Sequence, residues 1–284
     1  MIRSLNETLT KTEKAIPVRS CRQQYVDIHC HCLPGVDDGP AAMDDALALC
    51  RALVNDGIET VIATPHQLGR FNHSSNAENI REAVRVLNEE LESNDIILSV
   101  IPGADIRVDE RICQMLKTEQ ILTLADGGRY ILLELPHEIF IDIEPLLDDL
   151  GLLGIQAVIS HPERHSVLSQ RPDILRRWLT CSAHLQVTAG SLLGVFGQKA
   201  QDAAWNFLSS NLVSFVATDS HNLKSRRPRM SDAFERIDFK LGKETACLVC
   251  IENPLRVIQN LDIVPVCSMN AKECSNEREA KSYC

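Results

Sequence analysis

Seven short apolar runs recur along the chain with helix-like segments between them, and this alternation restricts the fold more than any other property of the sequence. The runs are 25–29 (YVDIH), 59–64 (ETVIAT), 96–101 (IILSVI), 130–135 (YILLEL), 155–160 (IQAVIS), 184–189 (HLQVTA) and 213–218 (VSFVAT). Helical periodicity falls near 41–56, 76–92, 141–151, 169–179, 198–210 and 229–241. The runs are mostly apolar throughout, which is how parallel strands covered on both faces read. A repeated strand–helix unit of this kind predicts an α/β fold with a closed or nearly closed barrel, with a doubly wound sheet as the alternative. The 284 residues suffice to bury one large core, so a single domain is expected.

Chemistry-bearing side chains sit at the ends of these runs. His29 and His31 end the first, His66 follows the second, Asp105 follows the third and Glu134 lies at the end of the fourth. His161 follows the fifth, and Asp219 with His221 follows the seventh. One histidine beside a strand is ordinarily a packed or surface residue. In a β/α barrel, however, all these strand ends open on one face, where loops distant in sequence surround one reacting atom. The set therefore predicts a multinuclear metal site.

The stretch YVDIHCHCLPGVDDG (25–39) supplies its first wall. In an extended chain His29 and His31 project to one side and Cys30 to the other. A Cys/His zinc knot needs more nearby ligands than Cys30 and Cys32 provide, and the distant carboxylates favour a mixed nitrogen/oxygen site suited to manganese, iron or zinc. Asp37 and Asp38 have two readings: acceptors that orient the histidines, or turn residues that stabilise the loop before the first helix.

Charge and cysteine usage exclude other classes. A formal charge of −10 argues against binding a nucleic-acid backbone. Eleven cysteines would suit a disulfide-bonded secreted chain, but the N-terminal MIRSLNETLTKTEKAIPVRS has no apolar signal core. No stretch reaches the roughly 18 apolar residues of a membrane span. The expected compartment is the cytoplasm, with Cys50, Cys181 and Cys247 acting as small, reduced core residues.

In order along the chain, the segments DIHCHCLPGVDDG (27–39), TPH (64–66), GADI (103–106), LEL (133–135), HPER (161–164) and TDSHN (218–222), followed by Arg226, Arg227 and Pro228, are similar to those of a known group. They resemble the polymerase-and-histidinol-phosphatase (PHP) superfamily, and more narrowly the bacterial manganese-dependent protein-tyrosine phosphatases of capsule and exopolysaccharide operons. The Asn-Pro at 253–254 also sits where that family commonly has one. The resemblance implies a seven-stranded distorted (β/α) barrel with three divalent metal ions, manganese favoured and iron or zinc as alternatives. It implies metal ligands at His29, His31, His66, Asp105, Glu134, His161, Asp219 and His221, and phosphate-holding arginines at Arg164 and Arg226, with Arg227 as the competitor for the second. The implied substrate is the phosphorylated, tyrosine-rich tail of a membrane-associated bacterial tyrosine kinase of polysaccharide synthesis. One ligand position departs from the family: Asp105 stands where Glu is usual, which predicts a shifted loop or a weaker metal. The implied organisation is a flexible extension over 1–22, the metallophosphatase domain over 23–265 and a polar tail over 266–284.

The chemistry agrees with that expectation. Metal ions activate water for in-line attack on phosphorus, and planar guanidinium groups bind phosphoryl oxygens in pairs. An aryl phosphate suits such a site, because a phenolate with a conjugate pKa near 10 leaves more readily than an alkoxide. Cys250 and Arg256 match a C-x5-R spacing, but the residues between them lack the glycines of a phosphate cradle, and Glu252 would repel phosphate. Cys247 and Cys250 form a CxxC inside an apolar helix or strand, where inert packing is expected. Two other functions compete: a small-molecule phosphomonoesterase or phosphodiesterase of the same superfamily, and a non-catalytic phosphotyrosine-binding regulator.

Overall fold

The expected runs form strands, and every strand pairing is parallel. The computed structural model describes residues 24–71 and 75–266. The expected N-terminal extension, and the expected tail apart from Val266, lie outside the described residues. One short sheet has the order β1 (Tyr25–Cys30), β2 (Ile58–Ala63), β4 (Ser99–Pro102). The larger sheet runs β3 (His66–Gln67), β5 (Asp105–Arg107), β6 (Tyr130–Glu134), β7 (Gln156–Ser160), β8 (His184–Thr188), β9 (Phe215–Ala217).

Two of the expected strands are thus split. The second breaks at Thr64-Pro65 and resumes as β3; the third breaks at Gly103-Ala104 and resumes as β5. A proline has no backbone donor for a ladder. At Gly103 a Cβ would meet Ile62 Cγ2 at 2.6 Å, so the close approach at the second break needs glycine. The first and last strands also meet: His31 N donates to Ser220 O at 2.9 Å and Asp219 N to His29 O at 2.7 Å. Beneath this seam the buried Asp27 carboxylate accepts from Thr218 N at 3.0 Å and from the Thr218 hydroxyl.

The helices are α1 (Met43–Asn55), α2 (Ala77–Ser93), α3 (Ile112–Lys117), α4 (Glu144–Leu152), α5 (Pro172–Thr180), α6 (Ala189–Leu192), α7 (Gln198–Ser209), α8 (Met230–Leu241), α9 (Lys243–Cys247) and α10 (Asn253–Ile258). In α2 the buried residues Ala77, Ile80, Val84, Leu87 and Leu91 follow helical spacing, and the Asn76 side chain accepts from Asn79 N at 2.8 Å to cap the first turn. The core has two parts. Val26, Ile28, Ile62, Tyr130, Leu132, Val158, Phe215 and Ala217 pack with one another, while the remaining apolar strand residues pack beneath the helices. Cys50 is buried, and Cys181 and Cys247 are partly buried against the outer cluster, as expected of small core residues.

Between α9 and α10 a π-helical turn, Leu248–Glu252, carries Cys250. The helical path continues from the π-helical turn through Asn253-Pro254, with Pro254 in the first turn of α10. Buried Asn253 donates to Ser214 O at 3.1 Å and Val264 O at 3.0 Å, and accepts from Val264 N at 3.0 Å. It ties the start of the last strand to the C-terminal segment. Among the described residues, no helix is long and apolar enough to cross a membrane.

Candidate metal centre

All the strand-end residues singled out in the sequence converge at one end of the sheets. Their ligand atoms fall into four overlapping groups, each with atoms within 4.8 Å of one another: His31, Asp38, His66 and His221; His29, Asp105 and His161; His29, His31 and Asp219; His66, Asp105 and Glu134. Every member of these groups except Asp38 was expected as a ligand. Asp38, for which the sequence supports an orienting or a turn role, lies 3.4 Å from His221 Nε2 and 3.6 Å from His66 Nε2.

Local structure aims each side chain. The pairing of β1 with β2 is irregular between Asp27 and Cys30, where the strand passes from the interior apolar residues to His29. Cys30 turns away into the core, as an extended chain requires. His66 and Asp105 face each other in register on β3 and β5, so the shorter Asp105 arm is carried by a strand rather than by a loop. His161 and Asp219 adopt left-handed backbone conformations, φ 35° and φ 52°, just beyond their strands.

Hydrogen bonds fix the imidazoles. Asp37 Oδ2 lies 2.6 Å from His31 Nδ1 and also accepts from His66 N at 3.0 Å, so Asp37 fulfils the orienting reading. Asp37 Oδ1 accepts from Gly39 N at 3.0 Å, and a Cβ at Gly39 would strike His31 O at 2.4 Å. Gln186 Oε1 lies 2.8 Å from His29 Nδ1. Gln186 is not among the residues expected at the site, and its one signal in the sequence is an amide inside the apolar run HLQVTA.

The electrostatics follow from burial and proximity. Burial pushes His29 down and His31 and His161 well down, which favours the neutral imidazole that ligates metal. Burial opposes protonation of His66 as well, but the carboxylates of Asp105, Glu134 and Asp37 outweigh it and raise His66 to about 9. Burial and then the charge of Asp105 push Glu134 up. For Asp219 burial resists ionisation, yet Arg164, His29 and Arg226 hold its carboxyl well below the usual range.

Both Asp105 carboxylate oxygens and Asp219 Oδ1 are buried without a hydrogen-bond partner. Buried anionic oxygens left in this way call for a cation, and neutral imidazoles together with carboxylates form a donor set that fits divalent metal ions. Among the described residues no cysteine joins a ligand group. Cys30 is pushed up to about 11, chiefly by burial. Cys250 is buried at the opposite end of β1, beside Tyr25, with its thiol pushed up by burial, and Arg256 donates instead to Asp262 O.

A cleft of about 460 Å³ opens over the cluster, lined by Asp38, His66, Glu134, His161, Asp219 and both expected arginines, Arg164 and Arg226. Arg164 Nη2 donates to Asp219 Oδ2 at 2.6 Å, and its guanidinium lies 4.6 Å from the Phe196 ring centroid. Arg226 pairs with the same Asp219 oxygen and approaches His221 Nε2 at 2.8 Å. The Nε atoms of both arginines are buried without a hydrogen-bond partner. Arg227 does not line this cleft. Arg70, Arg107 and His137 do, and sequence reasoning missed them. Arg107 Nη1 donates to Glu134 Oε2 at 3.0 Å, and His137 stacks on His161 at 5.2 Å between centroids.

Comparison with known proteins agrees with this geometry. Tyrosine-protein phosphatase YwqE of Bacillus subtilis (strain 168) is 37% identical over 239 residues, covering 84% of this chain and 93% of that protein. Tyrosine-protein phosphatase CpsB of Streptococcus pneumoniae is 32% identical over 244 residues, covering 83% and 98%. A crystal structure from work on YwqE of B. subtilis and CpsB of S. pneumoniae, described there as metal-dependent tyrosine phosphatases, matches with a TM-score of 0.81 and 36% identity over 84% of this chain and 96% of that one. The family model for capsular polysaccharide synthesis, CpsB/CapC, matches residues 25–259, and on this match, with these identities and the shared fold, the chain belongs to the CpsB/CapC family.

Proposed function

We propose that this chain is a metal-dependent protein-tyrosine phosphatase whose substrate is a tyrosine-phosphorylated bacterial kinase of capsular or exopolysaccharide synthesis. The observation that carries the reading is one of matched deficits. Both carboxylate oxygens of Asp105 and Oδ1 of Asp219 are buried without hydrogen-bond partners, and Asp219 lines the cleft together with Arg164 and Arg226, whose Nε atoms also lack partners. The carboxylates suit cations and the arginines suit a phosphoryl anion.

In this reading the catalytic unit spans 23–265, and its seven strand segments, with β2–β3 and β4–β5 each counted as one split strand, close as a distorted (β/α) barrel along the seam between β1 and β9. His29, His31, His66, Asp105, Glu134, His161, Asp219 and His221 hold three divalent ions, manganese favoured, and Asp38 adds a carboxylate beside His31, His66 and His221. Such ions, when bound, lower the pKa of water and polarise phosphoryl oxygens. The chain's own residues do the rest. Asp37 and Gln186 hold the His31 and His29 rings in place by hydrogen bonds to their Nδ1 atoms. Arg164, stiffened by Phe196 and Asp219, and Arg226 present planar donors to the phosphoryl oxygens and stabilise charge as it develops there. The phenolate leaves with little help from a proton donor.

Turnover of phosphotyrosine peptides is expected to vanish on chelation, return with added manganese and survive in Cys250→Ser. A panel of sugar, amino-alcohol and nucleotide phosphates is expected to react poorly beside phosphotyrosine. Turnover that persists after chelation and disappears in Cys250→Ser would overturn the assignment, and tight peptide binding without phosphate release would make the chain a binder.

A further inference from the structure

Beside the cleft, on the far side of Arg226, lies a second, smaller recess of about 130 Å³. Gly190, Val195 and Phe196 line one side of it, and the loop carrying Lys224, Ser225, Arg226, Arg227 and Arg229 lines the other. Arg226 and Asp219 line both spaces, so the recess adjoins the place where phosphate would sit.

Two features show that the recess is organised. The Asn222 side chain accepts from the backbone N–H groups of Lys224 at 2.9 Å, Ser225 at 3.0 Å and Arg226 at 3.3 Å, while His221 N donates to Arg226 O at 2.9 Å. This tight loop presents its basic side chains together. Opposite it, the missing side chain of Gly190 leaves room for Phe196, whose Cε2 lies 3.1 Å from where a Cβ would be. The Phe196 ring thus stands between the recess and Arg164, and contributes an apolar wall.

The charge balance identifies the ligand. Of the basic groups here, Arg226 is committed to Asp219, and Arg229 to Asp232 at 2.8 Å. Lys224 and Arg227 make no ion pair among the described residues, although the whole chain carries a formal charge of −10. A surplus of cations beside a phosphate-binding cleft, in an otherwise acidic protein, attracts a second anion on the same ligand.

Building on the phosphatase reading, we infer that this recess is a substrate subsite that binds a second anionic side chain of the peptide, close to the phosphotyrosine being hydrolysed. A carboxylate and a neighbouring phosphotyrosine share that chemistry. Lys224 and Arg227 supply the attraction, and the wall of Val195 and Phe196 packs against the connecting methylene groups or ring.

The test compares manganese-loaded wild-type protein with Lys224→Ala/Arg227→Ala on three phosphotyrosine peptides, flanked by neutral residues, by glutamates or by a second phosphotyrosine, and on p-nitrophenyl phosphate. Two rim charges lead us to expect a KM about 3- to 10-fold lower for the anionic peptides than for the neutral one. The double variant is expected to erase that difference while hydrolysing p-nitrophenyl phosphate normally. At about 1 M ionic strength, where the screening length falls to about 3 Å, the wild-type preference is expected to fade as well. The glutamate and phosphotyrosine arms tell which anion is preferred. A wild-type KM indifferent to flanking charge, or a preference that survives in the double variant, would overturn the subsite. Should wild-type protein hydrolyse nothing, the phosphatase reading fails; peptide binding by fluorescence anisotropy then decides the subsite, and equal affinities for neutral and anionic peptides reject it.

Discussion

Among the described residues, Asp219 enters more ion pairs than any other side chain. It is 1% exposed, takes an uncommon backbone conformation, pairs with Arg164 and Arg226, and stands 3.3 Å from His29 Nε2 and 3.5 Å from His31 Nε2. A left-handed conformation costs a non-glycine residue about 1–3 kcal/mol, and such strain is retained where it aims a functional group. Replacing His31 by Ala or Asp219 by Asn is expected to lower turnover at least about 100-fold, with measurable loss of bound metal. Arg164→Ala and Arg226→Ala are expected to keep their metal while substrate capture or kcat falls; metal content and steady-state kinetics on the same preparations separate the two cases. Asp105 gives a sharper test, because both its oxygens are buried and unsatisfied. In a stepwise metal titration Asp105→Ala is expected to lose one site and much of its activity; full stoichiometry with normal turnover would reduce Asp105 to a structural residue. His31, Asp105 and Asp219 were legible in the sequence, since each lies just beyond an apolar run, whereas Arg164 and Arg226 were marked by the family resemblance alone. Arg107 and His137 were not, because they act through neighbours that only the fold brings near, and Gln186 was marked only by an amide inside an apolar run.

At the scale of elements, the long apolar strands and amphipathic helices were readable from periodicity, and the boundaries moved by only a few residues. The two short strands His66–Gln67 and Asp105–Arg107 could not be read that way. Two or three residues carry no period, and these strands exist because neighbouring backbone is already in place to pair with them. The same holds for α6 and for the π-helical turn before Asn253. Asn253 shows how one side chain stands in for a missing ladder. Asn253→Ala removes the partner of two part-buried carbonyls and one part-buried amide, and is expected to cost about 1–3 kcal/mol. Urea unfolding measures that cost, and an unshifted midpoint would show the clasp to be idle. Metal stoichiometry is expected to stay normal, because the clasp joins the base of the last strand and not the ligand end.

For the molecule as a whole, a formal charge of −10 coexists with a cleft lined by Arg70, Arg107, Arg164 and Arg226, a grouping that overall charge conceals and that only the fold reveals. The seam between the first and last strands has a consequence in time. A polypeptide emerges from the ribosome with its N-terminal parts first, and domains form as their partners arrive. His29 and His31 are made early, yet the strand that flanks them, the carboxylate of Asp219, the imidazole of His221 and the guanidinium of Arg226 come almost two hundred residues later. A chain that has not yet reached Asp219 therefore has His29 and His31 but neither the strand that flanks them nor that carboxylate. A product truncated before Asp219 is expected to lack the activity, because it carries only part of the His/carboxylate cluster.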